Sequence, residues 1–184
     1  MVSFSTRIPA GDTLERQVCD TCGWVAYENP KIVTGSVVVV DGQVLLCRRA
    51  IEPRRGYWTL PAGYMELNET ADEGAKREAW EEARARIALD GILAVYSIAR
   101  IGQVQVLFRA RFDGPVAFSA GEESMDVRLF AAADIPWGEL AFPTVRWALQ
   151  AWQRTGTAPL GAPDTNPSHD PRGLSPEVPA GAAA

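Results

Sequence analysis

The chain has one histidine among 184 residues, His169, and it falls in a stretch poor in large apolar side chains. A folded core without histidine cannot build a Ser-His-Asp or Cys-His arrangement, nor a histidine-ligated metal site. Cysteine is nearly as scarce, with three in all. No apolar run approaches the roughly 18–20 residues that cross a bilayer. The opening MVSFSTRIPAGD also lacks the apolar centre of a signal peptide. No membrane partner and a cytoplasmic location are therefore expected. Positive charge is in deficit as well. A formal net charge of −5 lacks the basic footprint that a nucleic-acid backbone demands, so no nucleic-acid partner is expected. What remains for chemistry is carboxylates, arginines and metal.

Carboxylates are concentrated in GYMELNETADEGAKREAWEEARA, from Gly63 to Ala85. Thr70 with Glu73 three residues on forms a capping box, so a helix is predicted from there. Asp72 and Glu73 in its first turn suit the helix dipole. Ala71, Ala75, Ala79 and Ala83 recur every fourth residue, a small-residue seam able to lie close on a sheet. Beside the seam, Glu78, Glu81 and Glu82 share one strip, with Cβ atoms roughly 5–6 Å apart. Such a strip is ordinarily a solvated acidic face. Like charges so placed repel, however, and a hard divalent cation would convert the repulsion into ligation.

The spacing decides between these readings. Gly63, five residues, Glu69, seven residues, Arg77-Glu78, two residues, Glu81-Glu82 closely resembles the signature of the Nudix hydrolases. The resemblance covers about residues 30 to 154. It implies an α/β fold, an α/β/α sandwich on a mixed β-sheet, in which a loop–helix–loop binds divalent metal and a nucleotide diphosphate. It assigns Glu78, Glu81, Glu82 and the Ala62 carbonyl to Mg²⁺ or Mn²⁺, and Glu69 and Arg77 to supporting positions. Glu123, with Glu122 next, is the expected general base from the loop Gly121 to Asp126, alongside Glu81 and Glu82 as catalytic groups. The family's glycine near the helix end is Arg84 here, and Asn68 holds a position where a left-handed turn is tolerable.

Three regions are expected: an extension over 1–30, the hydrolase domain over 31–154, and a disordered Pro/Gly/Ala-rich tail over 155–184. The extension carries Cys19 and Cys22 as CxxC-Gly, half of a zinc ribbon, with no strand expected before it. A tetrahedral site needs four ligands. Zinc is not expected unless a second copy or Cys47 completes the set. Within the domain, Ile32 to Val40 and Gln43 to Arg49 read as strands joined at Asp41-Gly42, with Cys47 as core filling. Asp90-Gly91 reads as a turn into strands from Ile92 to Arg100 and Val104 to Phe112. A strand follows from Val127 to Ala131, and an amphipathic helix from Pro143 to Arg154.

Arg48, Arg49 and Arg54 precede the motif and could be surface charge or donors to substrate phosphate. Trp58 could be core or could stack on a base; all four are candidate substrate-binding residues. The expected reaction is hydrolysis of a P–O–P bond in a small-molecule nucleotide substrate, ADP-ribose or FAD by overall resemblance. Alternatives are a nucleoside triphosphate pyrophosphohydrolase that clears damaged nucleotides and a non-catalytic ligand sensor. Many relatives are dimers, which makes a homodimer an expectation by association.

Overall fold

The computed structural model describes residues 2–168. The chain divides into two compact units, Met1–Pro30 and Lys31–Ala184. The first is a three-stranded antiparallel sheet of β1 (Phe4–Arg7), β2 (Arg16–Cys19) and β3 (Val25–Ala26). The absence of a strand before the CxxC is corrected here, because β2 runs directly into Cys19. Its four residues are held by pairing with β1 rather than by any apolar run of their own.

The second unit is built on a mixed seven-stranded sheet. In chain order come β4 (Lys31–Val40), β5 (Gln43–Arg49), β6 (Trp58–Thr59), β7 (Ala62–Tyr64), β8 (Ile87–Ile98), β9 (Gln103–Phe112) and β10 (Ser124–Ala131). The path across the sheet is β10-β5-β4-β9-β8, with β6 on β5 and β7 on β4. Among the described strand pairs of this sheet, only β4–β9 is parallel, along Lys31 to Val38. Asp41 and Gly42 both take positive φ, 47° and 74°, and close the two-residue hairpin between β4 and β5. β4 keeps β9 along one side. On the other it meets β7 through Val33–Gly35 and then β5 through Val39–Val40, and the chain entering β7 lies at this changeover.

Two helices, α1 (Ala71–Ala83) and α2 (Pro143–Thr155), cover opposite faces, because β4 alternates between two cores. Val37 faces a cluster with Tyr96, Trp147 and Leu149 from the α2 side. Val38 faces one with Ala79 and Ala83 of α1. The alanine seam is what lets α1 sit this close: Ala75, Ala79 and Ala83 are all fully buried.

Two sequence expectations change. Asp90-Gly91 is no turn between elements but a bulge within β8, where the register on β9 slips between Leu89 and Gly91. Gly91, at φ 147°, supplies the backbone freedom, and continuous pairing with β9 overrides the local turn signal. The tail also departs from the expected disorder between 155 and 168. Asp164 bridges to Ala94 of β8, its carbonyl accepting from Val95 N–H at 2.8 Å, and its carboxylate pairs with Arg154 at 2.7 Å. Arg109 reaches the carbonyls of Gly156 and Ala158. Backbone and charge-assisted bonds to the sheet, together with Leu160 packed against the α2-side core, supply what the composition as a whole does not suggest. His169 and the rest of the tail lie outside the described residues.

Candidate active site

α1 begins as the capping box requires. Thr70 Oγ1 accepts from Glu73 N–H, and Glu73 returns the bond by accepting from Thr70 N–H at 2.8 Å. It ends at Arg84, which adopts the left-handed conformation, φ 50° and ψ 26°, that a glycine would take without strain. Beyond it, the loop before β10 folds back onto the helix end: Ser119 N–H donates to the Ala83 carbonyl and Gly121 N–H to that of Glu82. Gly121 is obligatory there, since a Cβ would stand 1.7 Å from the Glu81 carbonyl oxygen. This contact delivers Glu122 and Glu123 to the cavity beside α1.

The three strip carboxylates are not equivalent. Glu78 and Glu82 are buried, at 8% and 6% exposure, while Glu81 is open to solvent. Glu82 accepts a hydrogen bond from Ala62 N–H at 3.2 Å. Burial, then the neighbouring Glu78 charge, pushes its carboxyl up to about 8. Burial raises Glu78 as well, opposed by Arg77, and Glu123 repels both. Gly63 backs onto Glu78 so closely that a Cβ would overlap its carboxylate.

Arg77 is the hub of the opposite sign. It holds Glu69 with two bonds, Nε to Oε2 at 3.0 Å and Nη2 to Oε1 at 2.8 Å, and donates to the Tyr64 carbonyl. Its Nη1 bridges Glu78 at 2.7 Å and Glu81 at 2.9 Å. These bonds hold the Glu69 carboxyl down at about 2, while the surrounding carboxylates raise the guanidinium further.

Could these residues hold a divalent cation? Two buried carboxylates side by side with excess negative charge are the donor set of a hard cation. Among the described residues no three acidic, histidine or cysteine side chains converge on one point as they stand. Arg77 Nη1 occupies Glu78 Oε1 and Glu81 Oε2, so a cation bound to those two oxygens would compete with it, while Glu69 holds the other edge of the guanidinium. The N-terminal pair supplies two of the four ligands that a tetrahedral zinc site needs. Cys19 and Cys22 flank a tight turn, and the Cys22 and Thr21 amides lower the Cys19 thiol, but no third ligand joins them among the described residues.

The cavity beside the strip measures about 920 Å³ and extends from the carboxylates across β4 and β9 to the start of α2. Of the four substrate-binding candidates, Arg49 lines it, its guanidinium packed over the Phe142 ring at 5.2 Å. The others do not. Trp58 is 5% exposed and packs edge-to-face on Phe130 at 4.9 Å, so its assignment to substrate is corrected to core. Arg48 lies over Trp58 and donates to the Gly56 carbonyl, and Arg54 lies over Tyr57. Both are consumed by the chain's own aromatics. Cavity residues that the sequence did not single out are Arg100, Gln103, Gln105, Phe142 and Thr144. The alternation of Gln103-Val-Gln-Val was visible, but which phase faced a cavity was not.

A helix of paired carboxylates set into a mixed sheet beside a nucleotide-sized cleft defines a class, and the comparisons with known proteins agree on it. The family profile described as NUDIX domain matches residues 30–149, and one described as Nudix N-terminal matches residues 3–28. The chain belongs to the Nudix hydrolase family. A NUDIX hydrolase from Nitrosomonas europaea superposes with a TM-score of 0.83 at 44% identity, covering 89% of this chain and 92% of that one. A MutT-like protein of Streptomyces ambofaciens is 39% identical over 50% of this chain, a match that spans 58% of that protein's length. An ADP-ribose pyrophosphatase of Methanocaldococcus jannaschii is 28% identical over 63% of this chain and 69% of its own length.

Proposed function

We propose that this chain is a divalent-metal-dependent pyrophosphohydrolase that cleaves the P–O–P bond of a nucleoside diphosphate derivative, ADP-ribose or FAD. The observation that carries the reading is the buried Glu78–Glu82 pair at the rim of a cavity large enough for a nucleotide. Glu78, Glu81, Glu82 and the Ala62 carbonyl would hold Mg²⁺ or Mn²⁺, which when bound neutralises phosphate oxygens and acidifies water. Glu123 takes the proton of the attacking water as oxygen adds to one phosphorus and the bridging oxygen leaves on the other. Arg77, anchored by Glu69, orients Glu78 and Glu81. Arg49 offers its guanidinium to phosphate. ADP-ribose and water give AMP and ribose 5-phosphate; FAD and water give AMP and FMN.

A nucleoside triphosphate pyrophosphohydrolase is the second reading, favoured by the likeness to the Streptomyces MutT-like protein. A non-catalytic sensor has less support, because all three strip carboxylates are present. Purified chain with Mg²⁺ is to be offered ADP-ribose, FAD, NADH and a panel of deoxynucleoside triphosphates, with products resolved by chromatography. AMP from ADP-ribose or FAD supports the first reading. Pyrophosphate from a triphosphate without AMP from ADP-ribose or FAD supports the second, and no product from any overturns both.

A further inference from the structure

The cavity floor carries two neutral amides where the fold calls for apolar residues. Tyr64 of β7, Val33 of β4, Gln105 of β9 and Tyr96 of β8 pair in one row across the sheet. Directly paired residues share a face. Tyr96 marks that face as the one under α2, packed on Trp147 at 5.3 Å. Along β9, Gln103, Gln105 and Leu107 point the same way, and Leu107 is core. The two glutamines therefore stand on the covered side of an interior strand, half-buried and lining the cavity. Such amides cost stability unless their polar atoms are used.

Their use is incomplete. Gln103 Nε2 donates to the Tyr64 hydroxyl at 3.0 Å, and Gln105 Nε2 donates weakly to Gln103 Oε1 at 3.4 Å. The Gln105 carbonyl and its second amide hydrogen have no partner among the described residues, while Gln103 fixes which way the Gln105 amide turns. An acceptor and a donor side by side match adenine, whose N7 accepts and whose N6 donates. Val33, Ile98, Leu107 and Val145 surround the amides with apolar surface for a flat ring. β7, whose Gly63 touches the Glu78 carboxylate, is two strand spacings from β9, roughly 10 Å. A base on Gln105 thus leaves its phosphates reaching back toward the acidic strip.

We propose that the Gln103–Gln105 amide pair reads the edge of an adenine base, which makes the ligand of this cavity an adenine nucleotide rather than a guanine nucleotide. The inference deepens the pyrophosphohydrolase reading and rests on it for the position of the phosphates. Guanine presents two acceptors, N7 and O6, and calls for a double donor such as arginine. Arg100 at the exposed rim is the group that would serve it.

Calorimetric titration of the full chain with AMP, GMP and inorganic pyrophosphate tests this without turnover. AMP is expected to bind at least about tenfold more tightly than GMP, the discrimination of one two-bond amide–base contact. Gln105→Leu and Gln105→Glu, each checked for fold by circular dichroism, should remove that preference by weakening AMP while leaving pyrophosphate within about twofold. GMP binding as tight as AMP, no AMP binding at millimolar concentration, or a parallel loss of all three ligands would overturn it. Should either variant not fold, the wild-type comparison of AMP with GMP still decides. A chain that prefers AMP yet hydrolyses no substrate refutes the hydrolase reading and leaves this one standing.

Discussion

Arg77 grips Glu69 along one edge of its guanidinium and bridges Glu78 and Glu81 with the nitrogen that remains. The arginine is thus a fixed cation inside the carboxylate cluster, and Glu69 is its anchor. Removing the anchor should let Arg77 compete harder for the strip. Glu69→Gln is expected to weaken Mn²⁺ binding or turnover by about 10–100-fold, the usual effect of losing a ligand's support. Titration followed by electron paramagnetic resonance would read the affinity, and an unchanged constant would remove Glu69 from the site's architecture.

Glu82→Gln separates chemistry from stability. The amide keeps an oxygen to accept from Ala62 N–H but loses the charge a cation needs. kcat should fall by more than about tenfold, because the metal's contribution is several kcal/mol. Thermal stability should hold, or rise above pH 8, since a buried charge has been removed. Full turnover in this variant would end the assignment of Glu82 to metal.

The pH dependence of the metal-free protein has a definite sign. Glu82 is raised to about 8 from an ordinary value of 4.5, so between those values the folded state holds a proton that the unfolded state has lost. Stability from this group is present below about pH 4.5 and fades as pH rises toward about 8. Glu69, held at about 2, acts oppositely, and its contribution is lost as pH falls from 4.5 toward 2. Melting temperatures in EDTA from pH 5 to 8.5 should therefore decline more in wild type than in Glu82→Gln. Mg²⁺ should flatten the wild-type slope and release about one proton near neutral pH. Parallel curves for the two proteins would show that Glu82 does not titrate in this range.

Two glycines predict different damage. Gly63→Ala pushes a methyl into the Glu78 carboxylate, the free end of a side chain that can move, so metal affinity and kcat should suffer more than melting temperature. Gly121→Ala pushes one into the Glu81 carbonyl, which is helix backbone and cannot yield. That variant should lose about 1–3 kcal/mol of stability by urea denaturation. Equal melting temperatures for both would contradict the backbone packing described here.

Arg84→Gly tests the helix end. A left-handed non-glycine residue costs about 1 kcal/mol, and glycine there should recover most of it, less the contact of the Arg84 guanidinium with the Trp80 ring. A higher urea midpoint is expected, and a lower one would mean that the arginine's contacts outweigh its strain.

Local chemistry made α1 legible. Thr70 and Glu73 set its start, the alanine period set its buried side, and the Asp41-Gly42 dipeptide set a hairpin. Trp58 was ambiguous because core and stacking residues share one chemistry. Asp90-Gly91 misled because the bonds that overrule a turn come from β9, distant in sequence. Residues 155–168 misled because they are held by hydrogen bonds to β8 and to Arg109 of β9 and by Leu160 on the core, contacts that composition does not encode.

The sequence by itself determined that carboxylates and arginines are the groups its histidine-poor core offers for chemistry, and that Glu78, Glu81 and Glu82 would share one strip, because helical spacing is a local property. Only the tertiary structure decided that Glu78 and Glu82 are buried while Glu81 is open. It alone made Arg77 bridge them and turned Gln103 and Gln105 into the cavity floor. Burial and charge pairing depend on which strands become neighbours, and a strand's partners are chosen by the whole chain.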